Sequence, residues 1–187
     1  MIGGYIEGLQ DGVLKPTPER FKTIHSEIEH LERLVDDLRT LSLVDSGELV
    51  IHCQPAVPGD VLERLAETYQ HEAGQQKVEL KVEIEAGLPD IKVNVERIEQ
   101  VLSNLVSNAL RYSGGGAGGG IIILSARSMR GGVLLGVKDN GSGIAPEVPP
   151  HIFERSYRGD SARQGNESGL GLSIAKSIVE LHGGRSR

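Results

Sequence analysis

Residues 96–113 read Glu96-Arg97-Ile98-Glu99-Gln100-Val101-Leu102-Ser103-Asn104-Leu105-Val106-Ser107-Asn108-Ala109-Leu110-Arg111-Tyr112-Ser113. The spacing predicts one helix. Ile98, Val101, Leu102, Leu105 and Ala109 form an apolar face of ordinary core type. Asn104 and Asn108 lie at i and i+4, so both amides point to one other side. Arg97, Gln100 and Arg111 fall close to that polar stripe. Capping or solvation is the ordinary reason for a helical Asn. Both residues sit in mid-helix, where Asn is a mediocre helix former, and this weakens that reason. A helix with a sound apolar face and a second face of paired amides usually has something polar to bind.

Two glycine motifs lie downstream. Asp139-Asn140-Gly141-Ser142-Gly143 follows an expected strand. Its glycines allow a tight turn and close approach of a ligand. Asp139 can accept a hydrogen bond from an exocyclic amine such as that of adenine. Taken alone, the motif is also an ordinary turn. Gly169-Leu170-Gly171-Leu172 opens an expected helix. Free amides and the positive helix end suit a phosphate there, and a start made of small residues is the plainer alternative. Asn108 offers a neutral oxygen to a hard cation, and Mg²⁺ commonly combines such a ligand with phosphate oxygens and water. Together the three blocks indicate ATP.

Other features carry less. The run Gly114-Gly115-Gly116-Ala117-Gly118-Gly119-Gly120 leads from helix to strand and lacks Lys. A P-loop runs from strand to helix and ends in Gly-Lys-Ser/Thr, so this run is expected to be a flexible connection. The six histidines are scattered with no zinc-type spacing. The one cysteine, Cys53, excludes an internal disulfide framework and a cysteine zinc cluster. A net charge of −6 argues against nonspecific nucleic-acid binding. No apolar run approaches the roughly 20 residues of a membrane span. The 187 residues suffice for one domain plus a smaller element. With aromatics at 3%, aliphatic side chains must fill the core.

The chain divides near residue 47. Residues 2–12 look like the end of a helix. Thr17 is the expected N-cap of a long helix reaching about Asp45, with Pro18 at its first position. Ile24, Ile28, Leu31, Val35 and Leu38 step by four and three, and Phe21, Leu34 and Leu41 widen the stripe. That is a bundle period. Dimerisation into four helices would bury it, and so would an intramolecular hairpin packed on the second domain; the spacing favours the dimer. Beyond Glu48, strands are expected at Leu49–His52, Val78–Ile84, Ile91–Val93, Ile121–Leu124 and Val133–Lys138. Helices are expected at Pro58–Ala73 and Gly171–Leu181, besides the amide-rich one. Residues 154–168 are polar and expected to form a mobile loop. The class is α+β: an antiparallel-leaning sheet with helices on one face.

In this order, after a helical hairpin, these blocks resemble a bacterial sensor histidine kinase of a two-component system. Residues 97–113 are similar to its N box, Asp139 to Gly143 to its G1 box, and Gly169 to Leu172 to its G2 box. Ile152-Phe153-Glu154-Arg155 with Tyr157-Arg158-Gly159-Asp160 is similar to its F box. The resemblance implies a Bergerat-type α/β sandwich, a mixed sheet with helices on one face, over residues 48–187. That fold is shared with gyrase, the mismatch-repair ATPases and heat-shock chaperone ATPases. Residues 1–47 would be the latter part of a dimerisation and phosphoacceptor domain.

The resemblance also implies roles. Asp139 would bind the adenine amine, with Gly141 and Gly143 shaping its pocket, and Asn108 would hold Mg²⁺. Asn104, Arg111 and Tyr112 would contact the phosphate side. Arg158 and the amides of Gly169, Leu170, Gly171 and Leu172 would meet the phosphates under a lid of residues 154–168. Related hydrolytic ATPases carry a water-activating Glu at the position of Asn104. An amide cannot act as that base, which favours phosphoryl transfer to a protein nucleophile, with Asn104 and Asn108 at the chemistry. The implied partners are ATP, a response-regulator receiver domain and a second copy of the chain, with no nucleic acid and no membrane contact within these residues. The implied setting is the cytoplasmic part of a receptor anchored in the bacterial inner membrane.

Departures accompany the match. No His-Glu-x-x-Thr-Pro segment is present, so the phosphoaccepting His is expected upstream of Met1, and His25 and His30 do not fit it. Autophosphorylation is therefore not expected of these residues alone. Glu167 stands where the family commonly has Gly, and Asn94 where an Asp is usual. The end at Gly183-Gly184-Arg185-Ser186-Arg187 stops short of the strands that usually complete the sheet, so a fragment is expected. An ATP-hydrolysing relative is one alternative. A noncatalytic dimerisation or regulator-docking module is another.

Overall fold

The computed structural model describes residues 2–113, 119–143, 152–154 and 169–186. It divides into two compact units, Met1–Leu49 and Val50–Arg187.

The first unit is helical, with α1 over Ile2–Gln10 and α2 over Pro18–Asp45. Thr17 is extended, and its hydroxyl accepts the Arg20 N–H at 3.4 Å, so one orphan donor of the first turn is satisfied. Pro18 follows where its missing N–H costs nothing. At the other end, Gly47 adopts φ 70° and its N–H meets the Val44 carbonyl at 3.1 Å. A left-handed residue after the last turn is what stops the helix there.

The second unit runs β1 Gln54–Ala56, α3 Pro58–Gln75, β2 Val78–Ile84, β3 Ile91–Val93, α4 Val95–Ser113, β4 Gly120–Met129, β5 Gly132–Asp139 and α5 Gly171–Leu181. β1 pairs antiparallel with β3, placing Ala56 opposite Ile91. β2, β4 and β5 form a three-stranded sheet in that order. β4 and β5 form a hairpin from the strands expected at Ile121–Leu124 and Val133–Lys138, each longer at both ends, with Met129 opposite Gly132.

Two expectations need correction. The strand expected at Leu49–His52 is absent, and β1 lies further on at Gln54–Ala56. Pairing with β3 decides which residues extend, and the β-type side chains of Leu49 to Ile51 have no strand opposite them among the described residues. The sheet is also less antiparallel than expected, because β2 and β4 run parallel, Val78 opposite Gly120. The connection between them carries β3 and all of α4, long enough to return the chain in the same direction.

Helices α3 and α4 pack on the three-stranded sheet. Leu62 and Leu65 from α3, and Leu102, Val106 and Leu110 from α4, meet Ile122 and Leu124 of β4 in one buried cluster. Along β4 the even residues Ile122, Leu124 and Ala126 are fully buried while their odd neighbours are half-buried, the two-residue period of a strand. Two polar contacts tie α3 to α4. The Arg64 Nε and Nη2 each lie 3.1 Å from Glu99 Oε1, and Tyr69 Oη lies 3.3 Å from Ser107 Oγ. The apolar face of α4 is thereby spent on the sheet, and its amide-bearing side is left for other contacts.

Candidate functional site

α4 begins at Asn94. Its Oδ1 accepts the Arg97 N–H at 3.0 Å and its carbonyl accepts the Ile98 N–H at 3.0 Å, so Asn94 is the N-cap. On the polar stripe, Arg97 Nη1 donates to Gln100 Oε1 at 2.9 Å, so these two satisfy each other.

One turn further on, Asn104 Nδ2 donates to the Gly171 carbonyl at 3.0 Å. A Cβ added at Gly171 would touch that amide at 3.4 Å. The N-terminal turn of α5 therefore lies directly on the middle of α4. Leu170 is its buried N-cap and supplies no side-chain cap. The Leu170 carbonyl accepts the Ile174 N–H, so the amides of Gly171, Leu172 and Ser173 precede the first intrahelical bond. Gly169 enters this turn at φ 66°, a left-handed conformation in which glycine is strain-free. Leu172 is half-buried.

Asn108 is half-buried, and its side chain makes no hydrogen bond to any described residue. An amide in that state fits an oxygen ligand for a hard cation such as Mg²⁺. At the end of α4 the Arg111 guanidinium lies 5.6 Å from the centre of the Tyr112 ring, within cation–π range.

The loop after β5 packs on the same helix end. A Cβ at Gly141 would fall 2.5 Å from the Tyr112 carbonyl oxygen, which only a glycine avoids. Asp139 Oδ1 accepts the Gly141 N–H at 2.8 Å. Asp139 is exposed, with one carboxylate oxygen held by its own loop and the other available to an amine. Asn140 pins the loop to β4, its Oδ1 accepting the Ile121 N–H at 2.7 Å and its own N–H donating to the Ile121 carbonyl at 3.2 Å. Gly143 is left-handed at φ 72°. Arg158 and residues 155–168 of the expected lid lie outside the described residues, as do 114–118 of the glycine run.

Asn104, Asn108, Tyr112, Gly141, Gly169 and Gly171 are thus gathered along one side and one end of α4. Sequence reasoning missed three contributors. Asn94 was legible as a cap from its place three residues before Arg97. Asn140 sits inside a recognised motif and sets where its neighbours go. His182, passed over among scattered histidines, accepts a hydrogen bond from Asn94 with no local signal to announce it.

Residues 93–187 match the family of histidine kinase-, DNA gyrase B-, and HSP90-like ATPases. The chain is 34% identical over 190 residues to the signal transduction histidine-protein kinase BaeS of Escherichia coli (strain K12), covering 99% of this chain and 39% of that protein. Among solved structures it is similar to the histidine kinase AdeS of Acinetobacter baumannii, with a TM-score of 0.76 and 29% identity over 96% of this chain and 82% of that one. It is also similar to full-length ShkA in complex with AMPPNP, with a TM-score of 0.72 and 26% identity over 91% of this chain and 35% of that one. The chain spans less than half the length of the curated relatives it matches.

Proposed function

We propose, for a chain that belongs to the histidine kinase-, DNA gyrase B-, and HSP90-like ATPase family and has its Bergerat-type fold, that it is the ATP-binding core of a sensor histidine kinase. The intact protein would move the γ-phosphate of ATP to a histidine and then to an aspartate on a response-regulator receiver domain. The observation that carries the reading is the reach of one helix. α4 meets both glycine turns, Asn104 at Gly171 and Tyr112 at Gly141.

The residues divide the work. Asp139 takes the adenine amine on its free oxygen. The Gly169–Leu172 turn offers N–H groups to the phosphates. Arg111 adds the positive charge that a chain of net charge −6 must concentrate locally. Asn108 would hold Mg²⁺, which when bound neutralises phosphate charge. Asn104 spends its N–H on Gly171 and has no basic group to activate water. This supports transfer to a protein nucleophile over hydrolysis. These 187 residues would bind nucleotide without autophosphorylating, because no His-Glu-x-x-Thr-Pro segment is among them.

The helical unit is proposed to pair with a second copy. Phe21, Leu31, Val35 and Leu38 are each at least half exposed along α2, at bundle spacing. No described helix is long and apolar enough to cross a membrane; the proposed place is the cytoplasmic side of an inner-membrane receptor. Calorimetric titration with ATP, with and without Mg²⁺, tests the core of the proposal. Saturable binding strengthened by Mg²⁺ is expected. A folded chain that binds no nucleotide would leave only a dimerisation module.

A further inference from the structure

α5 packs closely on α4 with Ile174, Ala175 and Ile178 buried, and two polar links join the pair besides that packing. The first is Asn104 to Gly171, part of the site above. The second joins the N-terminus of α4 to the C-terminus of α5. His182, just past the last turn of α5, accepts the backbone N–H of Asn94 on Nε2 at 3.0 Å. Its Nδ1 lies 2.7 Å from the Ile178 carbonyl. The helices therefore run antiparallel, with the links about 15 Å apart at 1.5 Å per residue.

Both partners of His182 fix its chemistry. A backbone N–H only donates, so Nε2 must carry a lone pair. A carbonyl only accepts, so Nδ1 must carry the proton. The imidazole is neutral, in the Nδ1–H form. The imidazolium would set one N–H against another and lose the contact.

The cap of α4 shows why this bond is needed. In a capping box the residue three after the N-cap returns a side-chain acceptor to the N-cap N–H. Here that residue is Arg97, which has no acceptor and donates to Gln100 instead. Asn94 satisfies the Arg97 N–H with its own side chain, and nothing on α4 reciprocates. His182 supplies the missing acceptor from another helix.

We infer that His182 is a positioning residue for the nucleotide site: by completing the N-cap of α4 from the end of α5, it sets the register at which Gly171 meets Asn104. The inference rests on the proposed ATP site for its functional half and on the hydrogen bonds alone for its structural half. Apolar packing holds α5 on α4 but is non-directional, so with one polar link the register can shift, and the phosphate-facing turn at Gly169–Leu172 shifts with it. With two, that turn is held.

The test uses the whole 187-residue chain. Nitrogen NMR of the wild-type imidazole is expected to show Nδ1 protonated and Nε2 bare; the opposite tautomer would overturn the bond. Gln carries a carbonyl oxygen out to the position of Nε2, whereas Asn reaches only the position of Nδ1. His182→Gln is therefore expected to keep MgATP affinity within about twofold. His182→Asn should lose roughly fivefold, the low end of the penalty for an N–H left without its acceptor, since this one is half-buried. The Asn104 side-chain amide signals should move in His182→Asn and not in His182→Gln. Equal affinities for the wild-type and Asn chains, or a Gln chain as weak as the Asn chain, would overturn the positioning role. So would unfolding of both variants, which would make His182 a stability contact. A wild-type chain that binds no nucleotide overturns the proposed function and the positioning role together, and the tautomer still decides the bond.

Discussion

The side-chain amide of Asn104 donates to the Gly171 carbonyl at 3.0 Å across 67 residues of chain. One polar group on α4 thus sets where the N-terminal turn of α5 begins. Asn104→Asp keeps the size and removes the donor, leaving a carboxylate against a carbonyl. Losing a hydrogen bond and facing two acceptors costs about 1–3 kcal/mol. MgATP affinity should fall on the order of tenfold in a folded chain, measured by calorimetry. Wild-type affinity in that variant would remove Asn104 from the site.

Asn108→Ala should abolish the strengthening of ATP binding by Mg²⁺ while the melting temperature barely changes. The side chain is half-buried and bonds to no described residue, so its removal breaks little in the fold. Titrations with and without the metal separate the two effects. Unchanged MgATP affinity would sink the assignment.

Gly141→Ala places a methyl group 2.5 Å from the Tyr112 carbonyl oxygen. The loop cannot swing clear, because Asn140 holds it to Ile121 by two hydrogen bonds. Nucleotide binding should be lost. Gly143→Ala meets open space and bears only the left-handed strain at φ 72°, about 1–2 kcal/mol. It should bind measurably better than Gly141→Ala, and the reverse order would refute this packing.

Val35 is 63% exposed in the middle of the α2 apolar stripe. If a second copy covers that stripe, Val35→Asp should convert a dimer to a monomer without loss of helicity. Sedimentation and circular dichroism read the two quantities. A wild-type chain that is monomeric at high concentration would remove the proposed pairing.

Thr17→Ala should destabilise the helical unit by about 1 kcal/mol through loss of its N-cap. The same change reports on Glu19. Its carboxyl is held below the ordinary range by its own backbone N–H and then by the Thr17 side chain. A depressed carboxyl favours the folded state above its unfolded pKa, and that contribution fades as pH falls through the folded value. In Thr17→Ala the Glu19 titration should move upward. An unmoved titration would show that Thr17 does not reach it.

Most of the local elements were legible. α2 begins at a Thr-Pro signal and ends at a Gly, and β2, β3 and α5 fall where the alternation or helical spacing put them. Those signals are short-range: a cap, a left-handed stop, a face of apolar residues. The misplaced first strand and the parallel β2–β4 pair were not legible, because strand identity depends on a partner far away in the chain. Residue roles followed the same division. Gly141 and Asn108 drew attention by type and spacing. The link from Asn94 to His182 spans 88 residues and leaves no trace in either neighbourhood.

The amino-acid sequence by itself determined which helices and turns form and which residues could serve a nucleotide, since periodicity, capping and side-chain chemistry act within a few residues. Tertiary structure alone decided that α4 stands between both glycine turns, with Gly171 on Asn104 and Gly141 on Tyr112. Those contacts exist only after the apolar face of α4 is buried on the sheet. That burial is a property of the whole core and of no single segment.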